Sequence, residues 1–135
     1  MKDDWHEEFG RRLSRSVYGK WAVIADRQKQ HHLNAYPYGC DAYLSTFMAL
    51  KPEVARDYRT AIQQGCLSDA VRIVREMDVP LFDMLLPLSG GFDAGIHGAM
   101  ELFGIAKRWR RAPYYNLDDT EMASLRDFFN EHGLL

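Results

Sequence analysis

Five histidines, two cysteines, the Ser45-Thr46 pair and one basic run are the parts of this 135-residue chain whose side chains invite a chemical reading. His6, His31, His32, His97 and His132 match no H-E-x-x-H or Cys/His ligand spacing. They are expected on helix surfaces, with no metal. Cys40 and Cys66 are too few and too far apart for a disulfide scaffold or a zinc knuckle, and read as reduced thiols. Cys40 precedes an apolar run and is expected in the core. Cys66 follows a helix-ending glycine, and neither has an identifiable partner base. Lys107-Arg108-Trp109-Arg110-Arg111 is the one strong charge run; it reads as a connector whose long stems cover apolar surface, with nucleic acid as the competing partner. Ser89-Gly90-Gly91 lacks the G-x-x-x-x-G-K-[ST] form and is a turn. Ser45 and Thr46 close a predicted strand, where a hydroxyl serves a substrate carboxylate or a local backbone bond equally well. Lys2, on the residues alone, is a surface lysine.

The elements that must position these groups fit one domain length. The chain is 47% hydrophobic and 27% charged, which excludes a disordered polymer, and its net charge of −2 lacks the basic excess of a non-specific nucleic-acid binder. The longest apolar run, 81–88, is broken by Asp83 and Pro87 and falls far short of the roughly 20 residues a membrane span needs. The acidic start M-K-D-D-W-H-E-E is no signal peptide, so a cytoplasmic protein is expected.

Trp5, Phe9, Leu13 and Val17 recur every four residues among charges and predict an amphipathic helix, capped by Asp3 or Asp4 and ended by Gly19. Trp21 to Ala25 is a short apolar run without alternation, as in a parallel strand covered on both faces; a short buried helix is the competing reading. Residues 28–36 predict a short helix that stops before Pro37, and 40–47 a second strand. Pro52 opens a helix with the stripe Val54, Ala55, Tyr58, Ala61 and Ile62, ended by Gly65. The rhythm to here is that of tandem β/α units. The rest is helical. Ser68 caps a helix with Val71, Val74 and Met77 on one face, and Pro80 kinks or restarts it. A further helix carries Ile96, Ala99, Met100 and Phe103. Asp118 and Glu121 form a capping-box start for the last one, with Met122, Leu125, Phe128 and Phe129. The predicted division is 1–65 and 66–135.

M-K-D, then Y-G-C-D-A-Y-L-S-T at 38–46, A-I-Q-Q-G-C-L-S-D-A at 61–70 and the closing H-G-L-L follow one another in an order that resembles the C-terminal part of the dihydrodipicolinate synthase/N-acetylneuraminate lyase family. The resemblance spans essentially the whole chain. It implies an α/β fold, the last strands of a (β/α)8 TIM barrel followed by a helical extension. A whole barrel needs roughly 250 residues, so this chain cannot hold one. It implies a lyase or aldolase that joins a barrel lysine to pyruvate or a related 2-oxo acid through a Schiff base, without cofactor, in a homo-oligomer that is a tetramer in the family. Lys2, followed by Asp3, falls at the family's covalent lysine, and Ser45 and Thr46 become possible substrate neighbours. Asp26-Arg27 stand where the family has a glycine close to the substrate. The hydroxyl-bearing loop after the second strand and the tyrosine relay of the fifth have no counterpart here. A family lysine is replaced near His97, so no role is carried over there.

A Schiff-base lysine attacks as the free amine, and an unperturbed one with a pKa of about 10.4 is only about 0.04% neutral at pH 7. Burial in a dry barrel mouth lowers that pKa. Lys2 has one residue before it and no strand of its own to hold it, so the chain alone is expected to be a poor catalyst. The rival reading is a non-catalytic helical interaction module derived from the same family.

Overall fold

A computed structural model describes the backbone at 2–3 and 7–135 and the side chains of 8–135. It contains two compact units, Met1–Asp78 and Val79–Leu135. The expected cap at Asp4, and Trp5 and His6, lie outside the described residues, as do the side chains of Lys2 and Asp3.

The first unit carries three short parallel strands in the order β1-β2-β3: β1 Lys2–Asp3, β2 Ile24–Ala25 and β3 Ala42–Tyr43. Lys2 pairs with Ile24, and Ile24 with Ala42. Lys2 therefore does sit in a strand, contrary to the sequence expectation, because Ile24 and Ala25 provide a partner edge. Helix α1 (Glu7–Val17) links β1 to β2, and α2 (Gln28–Ala35) links β2 to β3. A turn of 3-10 helix, Tyr36–Tyr38, ends on Gly39 in the left-handed region. The β/α rhythm read from the sequence is thus present.

The strands are shorter than predicted. Asp41 explains one end: its carboxylate accepts the Val23 N–H at 2.9 Å, replacing a neighbouring strand as that donor's partner. Val23 and Ala25 are buried with Ala35 and Cys40, whereas Trp21 and Ile24 are exposed. The run is therefore a strand covered on one face, not two. Past β3 the chain turns helical at α3 (Phe47–Leu50), which begins at the last residue of the predicted strand, and Phe47 is buried.

Helix α1 buries Gly10 and Ser14; of the predicted stripe Val17 packs against the core and Leu13 is half-buried, while Phe9 is 58% exposed. Small residues let it approach α2 closely. Helix α4 (Pro52–Gln63) places Ala55, Tyr58 and Ala61 inside as predicted. Helix α5 (Leu67–Ile73) has Cys66, not Ser68, at its N-cap position. It buries Ala70 and Ile73 and turns Val71 outward, whereas Val74 is buried and Met77 packs against the same core, as predicted. A π-helical segment, Val74–Asp78, follows α5 within this unit. An i→i+5 segment carries one extra residue per turn and re-aims the side chains after it. It brings Asp78 into the interior.

The second unit begins with α6 (Val79–Leu85), with Pro80 in its first turn, the restart expected of a residue without an N–H. Helices α7 (Gly91–Leu102) and α8 (Asp119–Glu131) pack through Gly98, which lies against Met122 and Leu125. A Cβ on Gly98 would lie 2.6 Å from a Leu117 methyl. The capping box is present: Glu121 N–H donates to Asp118 at 2.8 Å, and Asp118 N–H donates to Glu121 at 3.0 Å. The other Glu121 oxygen accepts the Ser89 N–H at 2.9 Å, tying the Ser89-Gly90-Gly91 turn to α8. In the basic run, Arg108 pairs with Glu101 and Asp119.

Gly90 has φ +79°, and a Cβ there would meet Tyr115 Cβ at 2.6 Å and Ala94 Cβ at 3.0 Å. Neither neighbour can swing away, since each is the first atom of its side chain. Gly90→Ala is expected to cost about 2 kcal/mol, from left-handed strain plus overpacking. A urea midpoint unchanged from wild type would contradict this.

Candidate active site

Parallel α/β proteins gather their chemistry beyond the C-terminal tips of the strands. Here those tips are Asp3, Ala25 and Tyr43. Lys2 is level with the last strand residue but one on β1, and Asp26-Arg27 follow β2. Ser45 and Thr46 follow β3 within three residues.

The residues after β2 clasp the loop after β3. Gln28, in a left-handed conformation at φ 60°, accepts the Thr46 N–H on its side-chain oxygen at 2.7 Å. Lys29, next in the first turn of α2, points inward with a fully buried side chain. Its ammonium donates to Asp78 Oδ1 at 2.7 Å and to Ser45 Oγ at 3.5 Å, and lies 4.8 Å from the centre of the Phe47 ring. Burial pulls the Lys29 amine below the usual lysine range, opposed by the Asp78 charge. Burial likewise pushes the Asp78 carboxyl up, opposed by Lys29. Asp78 Oδ2 has no hydrogen-bond partner among the described residues. A dry ion pair thus joins three segments far apart in sequence.

Beside it lies a second buried polar group. His32 is 3% exposed, not on a helix surface as expected; His31 is buried as well. His32 Nδ1 and the Tyr58 hydroxyl are 2.9 Å apart, and Tyr58 also reaches the Lys29 carbonyl at 3.3 Å. The Tyr43 ring packs on both His32 and Tyr58, and its hydroxyl donates to the Ala55 carbonyl at 3.1 Å. Desolvation pulls His32 down to about 4, offset in part by the Cys40 carbonyl. Desolvation also pushes Tyr43 up to about 12 and Tyr58 higher still. His32 is therefore a neutral imidazole at pH 7. No group of three His, Cys, Asp or Glu among the described residues is arranged to hold a metal.

A cleft of about 410 Å³ opens along β3, between α2 and α4. Asp41, Tyr43, Ser45, Arg56 and Arg59 line it, with Met48 and Ile62 as apolar walls. Ser45 is thereby brought to a cleft and to Lys29, whereas the Thr46 amide is occupied by Gln28. Cys40 is buried, as expected, and Cys66 is exposed.

Lys29, Asp78 and Arg59 were not singled out from the sequence, and His32 was read only as one of the helix-surface histidines. Lys29 and His32 sit in the polar run Gln28-Lys29-Gln30-His31-His32, which has no apolar period to mark an inner face. Asp78 did leave a signal: it occupies the stripe Val74, Met77, Asp78, Leu81, where a charge is out of place.

With this geometry the chain resembles solved aldolase-type structures. It superposes on the dihydrodipicolinate synthase of Thermotoga maritima with a TM-score of 0.79 at 18% identity, covering 96% of this chain and 44% of that one. The enzyme of the same name from Oceanobacillus iheyensis gives 0.80 at 17% identity, with 96% and 44% covered. A Ruminococcus gnavus sialic acid aldolase, altered at its catalytic lysine, gives 0.78 at 15% identity, with 97% and 43% covered. No family model and no curated protein matches the sequence. The chain has the fold of the corresponding part of these lyases and aldolases, and spans less than half their length. No described helix is long and apolar enough to cross a membrane.

Proposed function

We propose that this chain is the C-terminal part of a (β/α)8 barrel of a Schiff-base-forming lyase or aldolase acting on pyruvate or a related 2-oxo acid. The observation that carries the reading is the parallel order β1-β2-β3, joined by helices and matched over nearly the whole chain by aldolase-type structures. Lys2 on β1 is the amine in this reading, and Ser45 and Thr46 are the substrate neighbours. The residues from 66 onward form the helical extension, which braces the barrel and supplies contacts between subunits of a homo-oligomer in the cytoplasm. The imine withdraws electrons from the adjacent carbon. The resulting enamine adds to an aldehyde, and the reverse reaction cleaves a carbon–carbon bond. No bound cofactor is required, because the iminium is itself the electron sink.

Pyruvate with borohydride tests the reading on two proteins: the chain itself, and a version extended by five β/α units. The extended protein is expected to give a reduced covalent adduct, and the chain alone far less. Absence of adduct from both would overturn the proposal.

A further inference from the structure

We propose that the cleft along β3 binds a small carboxylate through the Ser45 hydroxyl and the Arg59 guanidinium, with the buried Lys29 ammonium as the positioning residue for that hydroxyl. The inference rests on the reading of Ser45 as a substrate neighbour and adds two residues to it.

An ammonium has only donors, so Ser45 Oγ must accept from Lys29 across their 3.5 Å contact. The hydroxyl proton is then turned away from Lys29. It meets no acceptor among the described residues, and Ser45 lines the cleft. Asp78 holds Lys29 from the opposite side at 2.7 Å, so the ammonium cannot swing out to take the ligand itself. What reaches the cleft is an oriented, polarised O–H donor.

Arg59 supplies the charge. It lines the same cleft and makes no hydrogen bond or ion pair to another described residue, whereas Arg56 is engaged by Glu53 at 3.1 Å. Among the described residues lining the cleft Asp41 is the one carboxylate, and it already accepts the Val23 N–H. A planar guanidinium with a hydroxyl donor suits a carboxylate, and the apolar walls Met48 and Ile62 suit a short carbon body.

Pyruvate titrated into the full chain, followed by amide NMR at residues 43–46, reads the site. Saturable binding is expected in wild type. Ser45→Ala and Arg59→Ala are each expected to weaken it about tenfold or more, and Ser45→Thr to keep it. Lys29→Met/Asp78→Leu, checked for folding by circular dichroism, is expected to weaken it as Ser45→Ala does. Arg72→Ala, at an ion-paired surface position of the same unit, is the control and is expected to change nothing. Absence of saturation in wild type, or a loss below tenfold in Ser45→Ala or Arg59→Ala, overturns the site. A Lys29→Met/Asp78→Leu protein that binds like wild type overturns the part given to Lys29. Borohydride trapping in the protein extended by five β/α units reports on Lys2 separately: binding without a trapped adduct there counts against the covalent reading and leaves the cleft standing.

Discussion

Lys29→Met should destabilise the first unit by about 3–5 kcal/mol, the usual result of removing one partner of a buried ion pair. Asp78 loses the 2.7 Å ammonium contact on Oδ1, and Oδ2 has no partner to take over. What remains is the backbone N–H at residue 29, which also favours the ionised carboxylate. The chain must either bury a bare charge or protonate it. Total stabilities of single domains are about 5–15 kcal/mol, so the single variant is expected to lie near the edge of folding. Lys29→Met/Asp78→Leu removes both charges and keeps the volume, and is expected to recover most of the loss. Urea unfolding of the three proteins measures this. A double variant no more stable than Lys29→Met would show that the pair is not what holds α2 and the π-helical segment together.

The second large effect is acid destabilisation through His32. Its folded-state pKa of about 4 lies below the ordinary 6.5, so the unfolded chain takes up the proton first as pH falls. Stability is therefore full above about pH 6.5 and is lost as pH falls toward 4. By linkage the loss is about 2 kcal/mol at pH 5 and about 3 kcal/mol once the pH is below the folded pKa. The cause is desolvation of the buried ring, which outweighs the opposing hydrogen bond to the Cys40 carbonyl. Urea midpoints at pH 7.5 and 5.0 test this against His32→Gln, which has no proton to gain. The variant should be less stable at pH 7.5 but lose about 2 kcal/mol less on acidification. Equal pH slopes would assign the acid sensitivity to other groups.

Much of the fold could be read from spacing. The helix from Pro52, the capping box at Asp118 and Glu121 and the turn at Ser89-Gly90-Gly91 rest on local chemistry that needs no tertiary contact. The β/α rhythm was legible for the same reason. Strand lengths were not, because Asp41 takes over the Val23 N–H from a distance of 18 residues. The burial of Gly10 and Ser14 on α1 was not legible, because small residues carry no apolar period, and Phe9 of the predicted stripe faces outward. The polar interior was hidden most deeply. Lys29 and Asp78 are 49 residues apart, and neither the period of α2 nor a motif links them. Only Asp78, a charge on an apolar stripe, hinted at the pair.

The central claim is that the amine at position 2, and not the buried amine at position 29, carries the covalent chemistry. Peptide mapping after pyruvate and borohydride treatment of the extended protein locates the reduced adduct among Lys2, Lys20, Lys29, Lys51 and Lys107. The account predicts modification at Lys2 with Lys29 untouched, since Lys29 is fully buried and held by Asp78. An adduct on Lys29, or on any lysine other than Lys2, would contradict it.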